Sequence, residues 1–117
     1  MKKVIVTGGS GFIGSNLIQL LLKKGFFVIN IDKSSYSANP YNLKDFKNNK
    51  NYLFYKLDIN NRKKIFKILK KFKPLGIFNL AAETHVDRSI DNAENFIKTN
   101  VLGVHNLLEA VRKFEKN

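Results

Sequence analysis

Three glycines, Gly8, Gly11 and Gly14, recur at a spacing of three in "VTGGSGFIGSNLI", between an apolar run and an amphipathic one. Each suits a chain that must wrap closely around an anion. Gly8 allows a tight turn at the exit of a strand, Gly11 lets backbone approach a ligand with no Cβ in the way, and Gly14 lets the following helix pack close to the strand. The unpaired amides and the dipole at that helix's amino terminus then favour a pyrophosphate. Asp32, at the end of the next apolar run, supplies the acidic residue that completes this fingerprint. Its carboxylate can accept hydrogen bonds from both hydroxyls of an adenosine ribose and repels a 2′-phosphate, which favours NAD over NADP. Asp58 ends a third apolar run. It is placed either to bond an adenine amino group or to cap the helix that Asn60 and Asn61 begin.

Other reactive side chains point to less. His85 and His105 are far apart, with no cysteine and no clustered carboxylates beside them, so no metal site is expected. Arg88 is placed either to neutralise a phosphate or to pair with Asp87 or Asp91.

The elements that must position these residues follow from hydrophobic period. "KKVIVTG" (Lys2 to Gly8) reads as a strand buried on both faces, and "FFVINID" (Phe26 to Asp32), "YLFYKLDI" (Tyr52 to Ile59) and "LGIFNLAAE" (Leu75 to Glu83) read as three further strands. A helix is predicted from Phe12 to Lys24, with Ile13, Leu17, Leu20 and Leu21 on one face and Gly25 ending it. A second carries Ile65, Ile68, Leu69 and Phe72 on one side and most of six lysines, Lys63 to Lys73, on the other, and Pro74 closes it. The polar stretch after Asp32 is a long loop with one helical turn near Asn42 to Phe46.

Asp91 with Glu94 forms a reciprocal cap for a last helix that runs to about Phe114. That helix has two apolar stripes, Ile97, Val101, Val104, Leu108 and Val111 on one and Phe96, Gly103, Leu107, Ala110 and Phe114 on the other, with Asn100 between them. One stripe can cover a sheet, and the other calls for a partner.

Strands alternating with helices give an α/β protein with right-handed crossovers. We expect a partial Rossmann fold, a parallel sheet of about four strands in the order 3-2-1-4 flanked by helices. The 117 residues are expected to form one domain, a truncated NAD-binding Rossmann domain. A net charge of +12 invites nucleic acid, but 18 of the 21 basic residues are lysines scattered among 15 asparagines, a compositional bias rather than a reading surface, and no nucleic-acid partner is expected. The apolar start "VIV" is cut short by "TGG", too early for a secretory leader. No stretch approaches the ~20 apolar residues of a membrane span. Cytoplasmic location is the expectation, in keeping with the lack of cysteine.

"TGGSGFIG", "NIDKSSYSAN", "LDI", "LAAETHVDRSID" and "FIKTNVLGVHNLLEA" together resemble the amino-terminal part of the extended short-chain dehydrogenases/reductases, and among them the dTDP-glucose 4,6-dehydratases. The resemblance covers nearly the whole chain. It implies NAD as cofactor, with Phe12 and Ile13 against the pyrophosphate, Asp32, Lys33, Ser34 and Ser35 around the adenosine ribose, and Asp58 and Ile59 at the adenine. Leu80, Ala81, Ala82, Glu83 and Thr84 would line the nicotinamide side, Thr84 also reaching a nucleotide-sugar substrate, and Thr99 would meet the cofactor from the last helix. UDP-sugar 4-epimerases of the same superfamily would share these cofactor residues, and "ETHVDRS" tilts the resemblance to the dehydratases.

In that family the catalytic Tyr-x-x-x-Lys pair, an Asp-Glu pair for elimination and the sugar-nucleotide portion belong to later sequence, and none is expected here. The resemblance therefore implies a truncated NAD-binding domain, inactive alone, whose full-length relatives form homodimers. A noncatalytic dinucleotide-binding module is the alternative from another class.

Overall fold

A computed structural model of the chain describes residues 1–9, 12–33, 48–80 and 103–115, without the side chains of residues 12 and 103. Its elements are β1 (Lys3–Thr7), α1 (Phe12–Lys23), β2 (Phe27–Asp32), β3 (Tyr52–Lys56), α2 (Arg62–Phe72), β4 (Gly76–Asn79) and α3 (Gly103–Glu115). The four strands are all parallel, in the order β3-β2-β1-β4. This is the expected partial Rossmann arrangement.

Alternation along β1 and β2 divides the core between the two faces of the sheet. Val4, Val6 and Val28 face α1 and pack with Ile18 and Leu21. Ile5, Ile29 and Ile31 face the other way and pack with Ile65, Ile68 and Leu69 of α2 and Leu107 and Ala110 of α3. Continuous β-branched runs suit strands covered on both sides, and each such side chain buried contributes about 1.5–3 kcal/mol.

α1 is turned in part from its expected face. Leu21 is buried and Leu17 packs against the core as expected, but Ile13 is 70% exposed, Leu20 is 50% exposed and Ile18 is buried in their place. The cause is Gly14, whose Cα lies against the loop leaving β1, so the buried stripe runs through positions 14, 18 and 21 at helical spacing. In α2 the expected residues Ile65, Ile68 and Leu69 are buried. Its cap is Asn61, which accepts from the Lys64 N–H, and Lys73 ends it in a left-handed conformation, φ 48°, just before Pro74.

On α3 the second of the two apolar stripes covers the sheet. Leu107 and Ala110 are buried and Phe114 packs beside them, while Leu108 of the other stripe is 62% exposed. β3 ends at Lys56 rather than Ile59, because the chain turns at Asp58, whose carbonyl accepts the Asn61 N–H at 2.9 Å. β1, β2 and β4 likewise differ from their expected limits by a residue or more at an end. The helical turn expected near Asn42 to Phe46, the Asp91 and Glu94 cap and Asn100 lie outside the described residues. No helix among the described residues is long and apolar enough to cross a membrane.

Candidate functional site

Parallel strands bring the carboxyl ends of β1 and β2 to one sheet edge, where ligands of open α/β folds collect. β1 leaves that edge through Gly8, at φ 72°, a left-handed conformation that glycine adopts without a Cβ penalty. Its N–H donates to the Ile31 carbonyl at 2.9 Å, which ties the turn to β2. A Cβ added at Gly14 would lie 2.4 Å from the Gly8 carbonyl oxygen and 2.6 Å from the Gly9 Cα. Only a glycine lets α1 begin this close to the turn. The result is a stretch of bare backbone at Gly8 and Gly9, set close to the amino-terminal end of a helix.

Asp32 ends β2 beside this turn and is 8% exposed; its carbonyl accepts the Leu57 N–H at 3.0 Å, which extends the β2–β3 pairing. Lys33 follows it. Asp58 uses Oδ1 locally, accepting the Asn60 N–H at 2.9 Å and Asn60 Nδ2 at 3.1 Å; it thereby shapes the turn before α2, whose cap is Asn61 rather than Asp58. Asn60 Oδ1 in turn accepts from Asn106 Nδ2 at 2.7 Å, and Asn106 Oδ1 accepts from Arg62 at 2.7 Å. Through these amides α3 fixes the loop after β3. Ile59 is buried.

β4 meets the same edge next to β1. Thr7 donates its hydroxyl proton to Asn79 Oδ1, and the Leu80 N–H donates to the Thr7 carbonyl at 2.9 Å. Leu80 is 37% exposed there.

Of the expected site residues, then, Gly8, Ile13, Gly14, Asp32, Lys33, Asp58, Ile59 and Leu80 are described, with Phe12 placed by its backbone at the start of α1. Gly11, Ser34, Ser35, Ala81, Ala82, Glu83, Thr84 and Thr99 lie outside the described residues, as do His85 and Arg88. Among the described residues no group of His, Asp and Glu is clustered to hold a metal ion.

Two residues behind this edge escape the glycine fingerprint, Asn30 within β2 and Tyr52 at the start of β3. Asn30 is fully buried; its Oδ1 accepts the Gly9 N–H at 2.9 Å and its Nδ2 donates to the Tyr52 hydroxyl oxygen at 3.0 Å. Burial pushes the Tyr52 hydroxyl's pKa up, and the nearby Asp32 charge adds to this against the lowering effect of Asn30. The signal for Asn30 was a polar side chain inside "FFVINID", an apolar strand that must satisfy it.

Contrary to expectation, the Tyr-x-x-x-Lys spacing does occur, at Tyr52 and Lys56. These are the two ends of β3, and a strand rise of roughly 3.3 Å per residue holds their Cα atoms about 13 Å apart. On a strand this pair cannot serve one reacting atom.

The model of the GDP-mannose 4,6 dehydratase family matches residues 5–117. The chain belongs to that family. This member is 46% identical over 115 residues to a dTDP-glucose 4,6-dehydratase of Haemophilus influenzae, covering 97% of this chain and 34% of that protein. The solved dTDP-glucose 4,6-dehydratase of Bacillus anthracis, in complex with NAD, superposes with a TM-score of 0.85 at 35% identity, over 97% of this chain and 34% of that one. The UDP-glucose 4-epimerase of Thermotoga maritima, with UDP-glucose, gives a TM-score of 0.85 at 36% identity, over 96% and 34%. The family member described here thus spans about a third of the length of these relatives.

Proposed function

We propose that this chain supplies the NAD-binding part of a nucleotide-sugar 4,6-dehydratase that acts on dTDP-glucose to give dTDP-4-keto-6-deoxyglucose. The observation that carries the reading is the meeting of the Gly8 turn, the start of α1 and Asp32 at one sheet edge. The turn fits a dinucleotide: the backbone is bare where Gly14 closes on Gly8, and a carboxylate stands beside it at the end of β2.

In this reading Gly8, Gly11, Phe12, Ile13 and Gly14 receive the pyrophosphate, and Asp32 binds the ribose hydroxyls with Lys33, Ser34 and Ser35 around it. Asp58 and Ile59 flank the adenine. Leu80, Ala81, Ala82, Glu83, Thr84 and Thr99 line the nicotinamide side, with Thr84 turned also to the sugar. The family resemblance implies oxidation of the sugar at C4, loss of water across C5 and C6, and reduction at C6; bound NAD supplies the hydride acceptor that such an oxidation needs. The residues of this chain hold and orient. In this reading the acid–base groups come from the rest of the whole enzyme, which is a cytoplasmic homodimer paired through helices in the region of α3. The similarity to the Thermotoga maritima UDP-glucose 4-epimerase favours a second reading, the same cofactor site serving a 4-epimerase.

Calorimetry with NAD and NADP tests the proposal. NAD is expected to bind more tightly, and Asp32→Ala to lose about tenfold or more for NAD, since hydrogen bonds to a charged group contribute about 1.5–3 kcal/mol. Equal affinities for the two dinucleotides, or no loss in Asp32→Ala, would overturn the assignment.

A further inference from the structure

Asn30 is an amide in the middle of a buried parallel sheet, at 0% exposure, flanked in sequence by the equally buried Ile29 and Ile31. An amide so placed is costly unless both its ends are satisfied. Both are. The Gly9 N–H can only donate, so it fixes Oδ1 on that side, and Nδ2 then faces the Tyr52 oxygen. The orientation of the amide is therefore determined by its two neighbours.

The peptide unit between Gly8 and Gly9 is held on both sides. Its N–H donates to Asn30 Oδ1, and its carbonyl oxygen lies so close to Gly14 that a Cβ there would come within 2.4 Å. A trans peptide is planar, so restraining both polar ends fixes the plane. Gly9 itself is required by this arrangement, because a Cβ there would lie 2.3 Å from Asn30 Oδ1 and 2.5 Å from the Ile18 Cδ1. The second glycine of "TGGSG", which the three-glycine spacing leaves unused, is thus explained by Asn30.

We propose that Asn30 is a positioning residue that sets the Gly8–Gly9 peptide plane, and with it the amides that open α1, for pyrophosphate recognition, Tyr52 holding the Asn30 amide in register. Asn30 touches no ligand in this role; it acts through the turn. The inference rests on the dinucleotide reading of the site.

The test compares the affinity of the whole chain for ADP-ribose, which carries the pyrophosphate, and for adenosine, which does not, in the unsubstituted protein, Asn30→Ala and Asn30→Asp. ADP-ribose affinity is expected to fall about tenfold in Asn30→Ala, the equivalent of about 1.4 kcal/mol, with adenosine affinity unchanged. Asn30→Asp keeps an acceptor for Gly9 and should recover most of the loss. A residue that only stabilises the fold would weaken both ligands alike or neither, and either result overturns the proposal. Amide exchange on the unsubstituted chain supplies a second measurement should Asn30→Ala fail to fold. The Gly9 amide is expected to be protected without ligand, and exchange at an open-amide rate overturns the proposal. Failure of the unsubstituted chain to bind ADP-ribose would instead overturn the dinucleotide reading, the Gly9 exchange still judging whether Asn30 holds the turn.

Discussion

Gly14 sits so close to Gly8 that a Cβ on the first would come within 2.4 Å of the carbonyl oxygen of the second. The obstructing atom is backbone, with no flexible side chain to give way. Because that carbonyl belongs to the turn leaving β1, a single contact both seats α1 on the sheet and sets the distance between the helix's amino terminus and any anion at the edge. Substitution here acts on stability and on binding together.

Gly14→Ala is accordingly expected to destabilise the chain by about 1–3 kcal/mol, the usual range for overpacking. Urea denaturation measures it. A loss under about 0.5 kcal/mol, within the ordinary range of surface changes, would mean that α1 can draw back from the turn without cost.

The core facing α2 makes a different demand. Ile65 and Leu69 are each 1% exposed and pack under the sheet with Ile5, Ile29 and Ile31, so truncating either to alanine should cost about 2–5 kcal/mol. Lys67, on the exposed side of the same helix, should tolerate alanine within about 0.5 kcal/mol. Denaturant unfolding of the three variants checks the contrast, and similar losses at all three positions would contradict the assignment of faces.

Tyr52 predicts an alkaline limit to stability. Its hydroxyl titrates above its ordinary value because burial, with the Asp32 charge, disfavours the phenolate. A raised pKa in the folded state means that the neutral form is favoured by folding. The corresponding stability is fully present below the unfolded tyrosine value near about pH 10 and is lost as pH rises through the folded value. Tyr52→Phe should therefore flatten part of the decline above about pH 10. Melting temperatures across that range decide, and an identical alkaline decline in the variant would contradict the burial of the hydroxyl.

The sheet order and the glycine turn were legible because they rest on local signals: β-branched runs, glycines at fixed spacing and an acid at the end of the next strand. Asp32, Gly8 and Gly14 were readable for that reason. The rotation of α1 was legible only in part: Leu17 and Leu21 face the core as their period suggests, but the Gly14 contact turns the helix so that Ile18 is buried rather than Ile13 and Leu20. Asn30 was missed for a related reason. Its partners Gly9 and Tyr52 are 21 and 22 residues away in sequence, so its role depends on strand register and on the path of the turn. The Tyr52 to Lys56 spacing shows the converse, a pattern whose chemistry depends on the element that carries it: on β3 the two residues stand at opposite ends.

The central claim is that a dinucleotide lies across the edge formed by the Gly8 turn and Asp32, and the most direct measurement is a map of backbone amide chemical shifts during titration with NAD. The account predicts that the amides of Gly8, Gly9 and Asp32 move first and furthest, that the lysine-bearing face of α2 stays still, and that NADP produces the same map only at higher concentration. Shifts confined to α2, or none at Gly8, Gly9 and Asp32 at saturating NAD, would contradict it.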